Sequence, residues 1–371
     1  MKTFYVNFNL GGGLQKLEIA KQCLPDSNRK SLPDESQLGF GMHFTDHMFL
    51  MDYEHGKGWH DPRIVPYGPV MLEPAAACLH YAQAIFEGLK AYRGIDGKIR
   101  LFRAGDNVKR LNRSAVRMCI PKVDEDLAHR AICELVTVDK RWVPSSNGTS
   151  LYIRPFIFAN EPFLGVRPAK KYIFCIIASP VAAYYKEGFS PVKIYVTDKY
   201  VRAARGGTGE AKAAANYAAS LMASEEAKAC GFTQVLWLDA AERRYIEEVG
   251  TMNIFFVFDD ILVTPALSGS ILAGITRDST IKLASGWGMN VQERQVTIDE
   301  AIELSQQGRL KECFGTGTAA VVSPVGSLHY KDKDYIINGS KTGELARRLF
   351  DELTGIQYGA CPDHHGWIET I

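Results

Sequence analysis

Lys212 ends the segment Gly206-Gly207-Thr208-Gly209-Glu210-Ala211-Lys212, so a glycine turn delivers an amine to the start of a helix. A lysine becomes a nucleophile or Schiff-base former when burial or cationic neighbours remove part of its protonation. A P-loop would place Gly before the lysine and Ser or Thr after it, and here Ala211 and Ala213 stand at those places. On these residues alone, an exposed lysine after a flexible turn is the plainer reading. Glu247 and Glu248 lie on a strand that runs through Val249-Gly250-Thr251-Met252-Asn253 into the apolar Ile254-Phe255. A carboxylate facing inward there needs a cationic partner or becomes neutral. Strand alternation can turn only one of the pair inward and leaves the other to solvent, and on the pattern alone both can be solvated.

Two further turns are suited to anions. Gly315-Thr316-Gly317-Thr318-Ala319-Ala320 spells a GxGxxA fingerprint, but that fingerprint must open a helix, and residues 320–325 are strand-like and broken by Pro324. What remains is a tight turn whose N–H groups and threonine hydroxyls can hold a phosphate or carboxylate, or which is purely structural. Gly274-Ile275-Thr276-Arg277 opens a helix ending near Gly286. Free N–H groups at that end form a phosphate site, with simple N-capping by Thr276 as the default. Arg110 in Asn107-Val108-Lys109-Arg110-Leu111 is either a phosphate clamp or a surface arginine, and Tyr81 and Phe86 are either pocket walls or core. His43, His47, His364 and His365 lack metal-ligand spacing to Cys or carboxylate partners, so no metal is assigned.

The elements that must position these residues follow from periodicity. Residues 114–118 and 128–136 carry apolar side chains at helical spacing, with Leu127, Ala131, Ile132 and Leu135 the clearest set. Strands are expected over 99–102, 150–154 and 172–178. Between the last two, residues 160–168 form a loop with apolar residues at its tip. A boundary is placed near Lys186-Glu187-Gly188. Beyond it come a strand at 192–196, an Ala-rich helix at 213–229 stopped by Gly231, and strands near 235–238, 245–249, 254–258 and 261–263. Tight polar turns such as Asp259-Asp260 make these antiparallel hairpins, and Thr297-Ile298-Asp299-Glu300 reads as a capping box. The architecture is α+β.

Composition fits this. A chain of 371 residues with 46% hydrophobic and 23% charged residues suits two globular domains. Forty-three basic against 42 acidic residues leave a formal +1, which argues against a phosphate-backbone binder. Eight cysteines without a CxxC match reduced thiols, and Cys175 sits in an apolar run as a small buried hydrophobe. No secretory or membrane-spanning segment is evident, and a cytoplasmic protein is expected.

A lysine, an acid for a ring nitrogen, an arginine, two anion turns and aromatics together suit one ligand, pyridoxal 5'-phosphate. The sequence resembles the class IV (fold type IV) aminotransferases, and among them the branched-chain amino acid aminotransferases. The likeness runs from about Leu38 to Gly359 and is most specific from Glu248 through Leu262-Val263-Thr264 to Arg277. Phe44-Thr45-Asp46-His47-Met48, Phe86-Glu87-Gly88-Leu89-Lys90, Arg154-Pro155, Asn160-Glu161-Pro162 and Ala214-Ala215-Asn216-Tyr217 point to the branched-chain group. D-amino-acid aminotransferases and aminodeoxychorismate lyases are less similar at these segments.

The resemblance implies a smaller N-terminal α/β domain over residues 1–185 and a larger C-terminal pseudo-barrel of antiparallel strands over 186–371. It makes Lys212 the Schiff-base lysine and general acid/base, and Glu248 the partner of the pyridine nitrogen. It assigns Arg110, Ile275, Thr276 and Thr318 to the phosphate and Tyr217 to the ring hydroxyl. Substrate carboxylate falls to Tyr81, Thr251 and the Ala319 N–H, and the hydrophobic wall to Phe40, Phe86, Tyr152 and Tyr184. Arg154 is the cation for the second carboxylate of 2-oxoglutarate or for a nearby polar network, and Leu164 and Val166 close the other subunit's pocket in a homodimer. The expected reaction exchanges an amino group between L-leucine, L-isoleucine or L-valine and 2-oxoglutarate, giving L-glutamate. A CxxC carried by animal members is replaced here by Ala320 and Ser323, so no thiol switch is expected. The rival from another class, an NAD-binding oxidoreductase built on residues 315–320, would show no Schiff-base colour.

Overall fold

The computed structural model describes residues 17–182 and 189–371. The expected boundary at Lys186-Glu187-Gly188 and Tyr184 lie outside the described residues. Strands β1 (Ala20–Lys21), β2 (His47–Glu54), β3 (Gly58–Pro66), β4 (Ala84–Phe86), β5 (Leu89–Arg93), β6 (Ile99–Phe102), β7 (Ser150–Ala159) and β8 (Lys171–Val181) belong to one sheet. Its order is β1-β3-β2-β8-β7-β5-β6, with β4 alongside β7. Helices α1 (Ala77–Tyr81), α2 (Ala104–Arg117) and α3 (Glu125–Val138) accompany it. Leu127, Ala131, Ile132 and Leu135 of α3 are buried, as their spacing predicts, in the same cluster as Phe49 and Met51 of β2, the strand on which the helix packs.

A second sheet holds β9 (Val192–Thr197), β10 (Gln234–Leu238), β11 (Ile246–Val249), β12 (Met252–Phe258), β13 (Ile261–Thr264), β14 (Asn290–Glu293), β15 (Leu310–Gly317), β16 (Val321–Tyr330) and β17 (Lys333–Ile336). The path β11-β10-β9-β16-β15-β12 closes on itself because β12 also pairs β11. This is a six-stranded barrel with no open edge within the ring. Strands β10 to β13 pair antiparallel in sequence, as their short turns require. Strand β9 differs and is parallel to both β10 and β16. Its link to β10 runs through helix α4 (Ala214–Ala229), a crossover long enough for parallel pairing.

Helices α5 (Ile275–Gly286), α6 (Ile298–Gln306) and α7 (Glu344–Tyr358) complete the second half. Thr297 caps α6 by accepting the Glu300 N–H at 3.0 Å, but the Glu300 side chain pairs with Arg294, so the capping box is half made. The last strand, β18 (Ile368–Thr370), returns to the first sheet beside β6. A shared cluster of Tyr92 and Phe102 from that sheet, Phe255 and Phe314 from the barrel, and Leu349 of α7 joins the two sheets. Among the described residues no helix is long and apolar enough to cross a membrane.

Candidate active site

Lys212 sits just before α4 and is fixed from three directions. Its N–H donates to Ser114 Oγ of α2 at 2.9 Å, and its carbonyl accepts the Phe86 N–H of β4 at 3.0 Å. An Ile85–Ala213 bridge continues that contact. The glycine turn before it is held by Arg117, whose guanidinium donates to the Gly206 and Gly207 carbonyls at 2.9 and 2.7 Å. A Cβ at Gly209 would fall 2.2 Å from the Ser270 carbonyl oxygen, so the turn can approach that segment only as glycine. The Lys212 Nζ donates to Tyr217 Oη at 3.0 Å and stands 4.9 Å from the Phe86 ring centre. The amine therefore has a fixed backbone and a hydroxyl-bearing ring one helical turn away.

Glu248 is buried on β11, where Oε1 accepts the Leu272 N–H at 2.7 Å and lies 3.2 Å from the Arg202 guanidinium. Burial raises its carboxyl above the usual range, while Arg202, that N–H, Lys212 and Arg110 pull it back. The expectation that at least one of the two glutamates faces solvent is not met: Glu247 is also buried, hydrogen-bonded by Ser270 and raised by burial. The 268–272 segment supplies partners to both carboxylates, covering a strand that alternation alone leaves half exposed.

Arg110 is a buried residue of α2 and not a surface arginine. Its Nε and Nη2 donate to the two oxygens of Glu87 at 2.8 and 2.9 Å, and Nη1 donates to the Ala273 carbonyl at 3.2 Å. Burial alone would raise the Glu87 carboxyl, yet Arg110, with Lys212 and Asn107, holds it below the usual range. Through Ala273 the guanidinium reaches the turn that opens α5. That helix begins at Ile275, with Gly274 as its N-cap and no side-chain cap. Thr276 therefore lies inside the first turn, and the N-capping role expected for it is not found. Ile275, Thr276 and Thr318 line one small cavity together with Lys90 and Asn107. Thr318 and Ala319 belong to the β15–β16 turn, confirming that residues 315–320 form a hairpin and open no helix.

Lys90 was not found by sequence reasoning. It is buried, donates to the Ala319 carbonyl at 2.7 Å, and burial pushes its ammonium down to about 8. Glu87 and Arg202 were missed in the same way. The signal for Lys90 and Glu87 is a charge inside the apolar 84–92 segment.

The aromatic residues form one wall. Phe40 meets Tyr152 at 5.0 Å between ring centres and Phe86 meets Tyr217 at 4.7 Å. Arg154 stacks over Phe86 at 4.6 Å and donates to Tyr152 Oη at 3.0 Å. Among the described residues its Nε has no hydrogen-bond partner. A Cβ at Gly88 would lie 2.0 Å from Tyr152 Oη, so this glycine admits the tyrosine. The β12–β15 register sets Asn253 against Thr316, which brings the exposed Thr251 turn towards residues 317–319.

Tyr81, Leu164 and Val166 do not join this group. Tyr81 donates to the Leu164 carbonyl, and an Ala76–Pro162 bridge ties α1 to the loop. Leu164 and Val166 are 64% and 86% exposed, two apolar side chains uncovered in the single chain. The structure also assembles His129, Cys133 and Glu369 into a cluster, although the histidine reading found no such partners.

A lysine amine against a phenol, a buried carboxylate, and a helix start without a side-chain cap beside buried cations make a site suited to an anionic ligand. The sequence matches the family model for amino-transferase class IV over residues 84–328. The chain belongs to this family. It is 55% identical over 345 residues to branched-chain-amino-acid aminotransferase 2 of Bacillus subtilis (strain 168), covering 93% of this chain and 95% of that one. Its fold is similar to the branched-chain amino acid aminotransferase of Escherichia coli, with a TM-score of 0.73, 27% identity, and coverage of 87% and 98%. The branched-chain amino acid aminotransferase from Thermobaculum terrenum in its PLP-form (holo-form) is similar at a TM-score of 0.70 and 26% identity, with coverage of 88% and 98%.

Proposed function

We infer that the protein is a pyridoxal-phosphate-dependent branched-chain amino acid aminotransferase. It moves the amino group of L-leucine, L-isoleucine or L-valine to 2-oxoglutarate, releasing the branched 2-oxo acid and L-glutamate. The observation that carries this reading is the Lys212–Tyr217 contact at 3.0 Å in a chain of this family, with Glu248 and the uncapped start of α5 around it. The donor set fits the cofactor: Glu248 is a buried acid for a ring nitrogen, Tyr217 a hydroxyl for a ring oxygen, and Thr276, Thr318 and the α5 N–H groups suit a phosphate. When bound, the cofactor supplies an aldehyde and an electron-poor ring that accepts the electrons released at Cα.

This chain's residues do the rest. Lys212 provides the amine that holds the cofactor and then carries the proton at the substrate Cα, acting as general acid and base. Glu248 keeps the ring nitrogen protonated, and its burial makes that charge pairing strong. Arg110 acts through the Ala273 turn on the phosphate end. Phe40, Phe86 and Tyr152 receive an aliphatic side chain, while the Arg154 guanidinium, stacked on Phe86 and hydrogen-bonded to Tyr152, suits the second carboxylate of 2-oxoglutarate. Thr251 and the Ala319 N–H take the substrate α-carboxylate. Tyr81 travels with Leu164 and Val166 and serves the pocket of a partner copy in a homodimer, covering those apolar tips.

The test is the visible spectrum of the cofactor-loaded protein before and after L-leucine, with D-alanine as comparison. Bleaching by L-leucine alone is expected, and Lys212→Ala should keep the fold but lose turnover. Full transamination by that variant, or bleaching by D-alanine only, would overturn the assignment.

A further inference from the structure

We propose that His129, Cys133 and Glu369 form a binding site for a divalent transition-metal ion of the zinc type, joining helix α3 to the C-terminal strand β18. None of the three takes part in the lysine site, and the proposal is independent of the activity inferred above. His129 and Cys133 are four residues apart on α3, so their side chains share one face. Glu369 enters from β18, which pairs with β6 at the sheet edge. The His129 Nε2 lies 2.7 Å from Glu369 Oε2, and Cys133 Sγ lies 3.7 Å from Glu369 Oε1 and 4.0 Å from His129 Nδ1. One donor atom from each residue lies within 4.8 Å of the others.

Ligands bound to one tetrahedral ion at about 2.0–2.3 Å stand roughly 3.3–3.7 Å apart. The Cys133–Glu369 spacing already meets this, the His129–Glu369 pair needs to open by about 0.6–1.0 Å, and a turn of the imidazole must bring the one ligating nitrogen closer to Cys133 Sγ, which now lies 4.0 Å from Nδ1. All three side chains are partly exposed, so they can make that adjustment and leave the fourth position to water. A sulfur, an imidazole nitrogen and a carboxylate oxygen together suit zinc or cobalt and disfavour magnesium or calcium, which prefer all-oxygen sets. The thiolate is the ligand, so uptake of the ion releases the Cys133 proton to solvent. The ion would pin the three-residue β18 to the helix behind its neighbour.

Titration of the cofactor-loaded, reduced full chain with cobalt(II), followed by displacement with zinc, tests this. One equivalent should produce a near-ultraviolet thiolate-to-cobalt band, and zinc should raise the melting temperature. Cys133→Ser should abolish the band and weaken zinc binding at least tenfold, and Glu369→Gln should weaken it without removing the band. Cys230→Ser, at an exposed cysteine outside the cluster, should match the parent. Transamination without added metal should be unchanged in all three variants. Absence of saturable binding, or a band that survives in Cys133→Ser, would overturn the proposal and leave the cluster as a histidine–glutamate ion pair.

Discussion

Replacing Glu87 by glutamine removes one charge from a pair in which the Glu87 and Arg110 side chains are 1% and 5% exposed. Arg110 then retains a buried positive charge without its counter-ion, and Asn107 Nδ2 loses a charged acceptor at 2.9 Å. Breaking such a pair by removing one member costs about 3–5 kcal/mol, because the remaining charge has lost its water and gained nothing. The glutamine oxygen can still accept one bond from Arg110, which puts this substitution near the lower end, about 3 kcal/mol. With an unfolding entropy of about 2.1 cal/mol/K per residue, that lowers the melting temperature by roughly 4 °C. On the proposed function a phosphate ester binds near Arg110 and would supply the missing negative charge, so the cofactor should restore part of the loss. The assay is thermal unfolding of parent and Glu87→Gln with and without pyridoxal phosphate, alongside a cofactor-binding titration. A drop under about 1 °C, or one that the cofactor leaves unchanged, would refute the view that Glu87 holds Arg110 for an anion.

Three further outcomes follow from the same site. Glu248→Gln should lower kcat at least tenfold with a smaller change in cofactor affinity, measured by steady-state kinetics and equilibrium binding, since a neutral amide cannot hold a ring nitrogen protonated. Lys90 has a folded pKa of about 8 against 10.5 unfolded, so its burial penalty is complete below pH 8 and is relieved as pH rises towards 10.5. Lys90→Met should therefore stabilise the cofactor-free protein at pH 7, by up to about 3 kcal/mol, with the advantage shrinking above pH 8 in denaturation midpoints across pH. Arg154→Ala should raise KM for 2-oxoglutarate more than tenfold while changing KM for L-leucine much less, because only the former brings a second carboxylate for the guanidinium to pair with.

Local chemistry in the chain determined much of this protein. The Ala-rich helix ending before Gly231, the apolar strands and the hairpin turn at residues 315–320 follow from propensity, periodicity and turn residues acting over a few positions. Lys212, Glu248, Arg110 and Thr276 were legible as candidates because each sits in an unusual local setting. Tertiary structure decided what they do together. Closure of the barrel through β11–β12, parallel docking of β9, and the 268–272 segment over Glu247 and Glu248 depend on pairings across dozens of residues. Lys90, Glu87 and Arg202 stayed hidden because a buried charge is tolerable only beside a partner, and the partners lie 229, 23 and 46 residues away in the chain. A short window of sequence encodes which conformations are locally cheap. Which charges may leave water is fixed only when the folded chain brings their counter-charges and carbonyls to them.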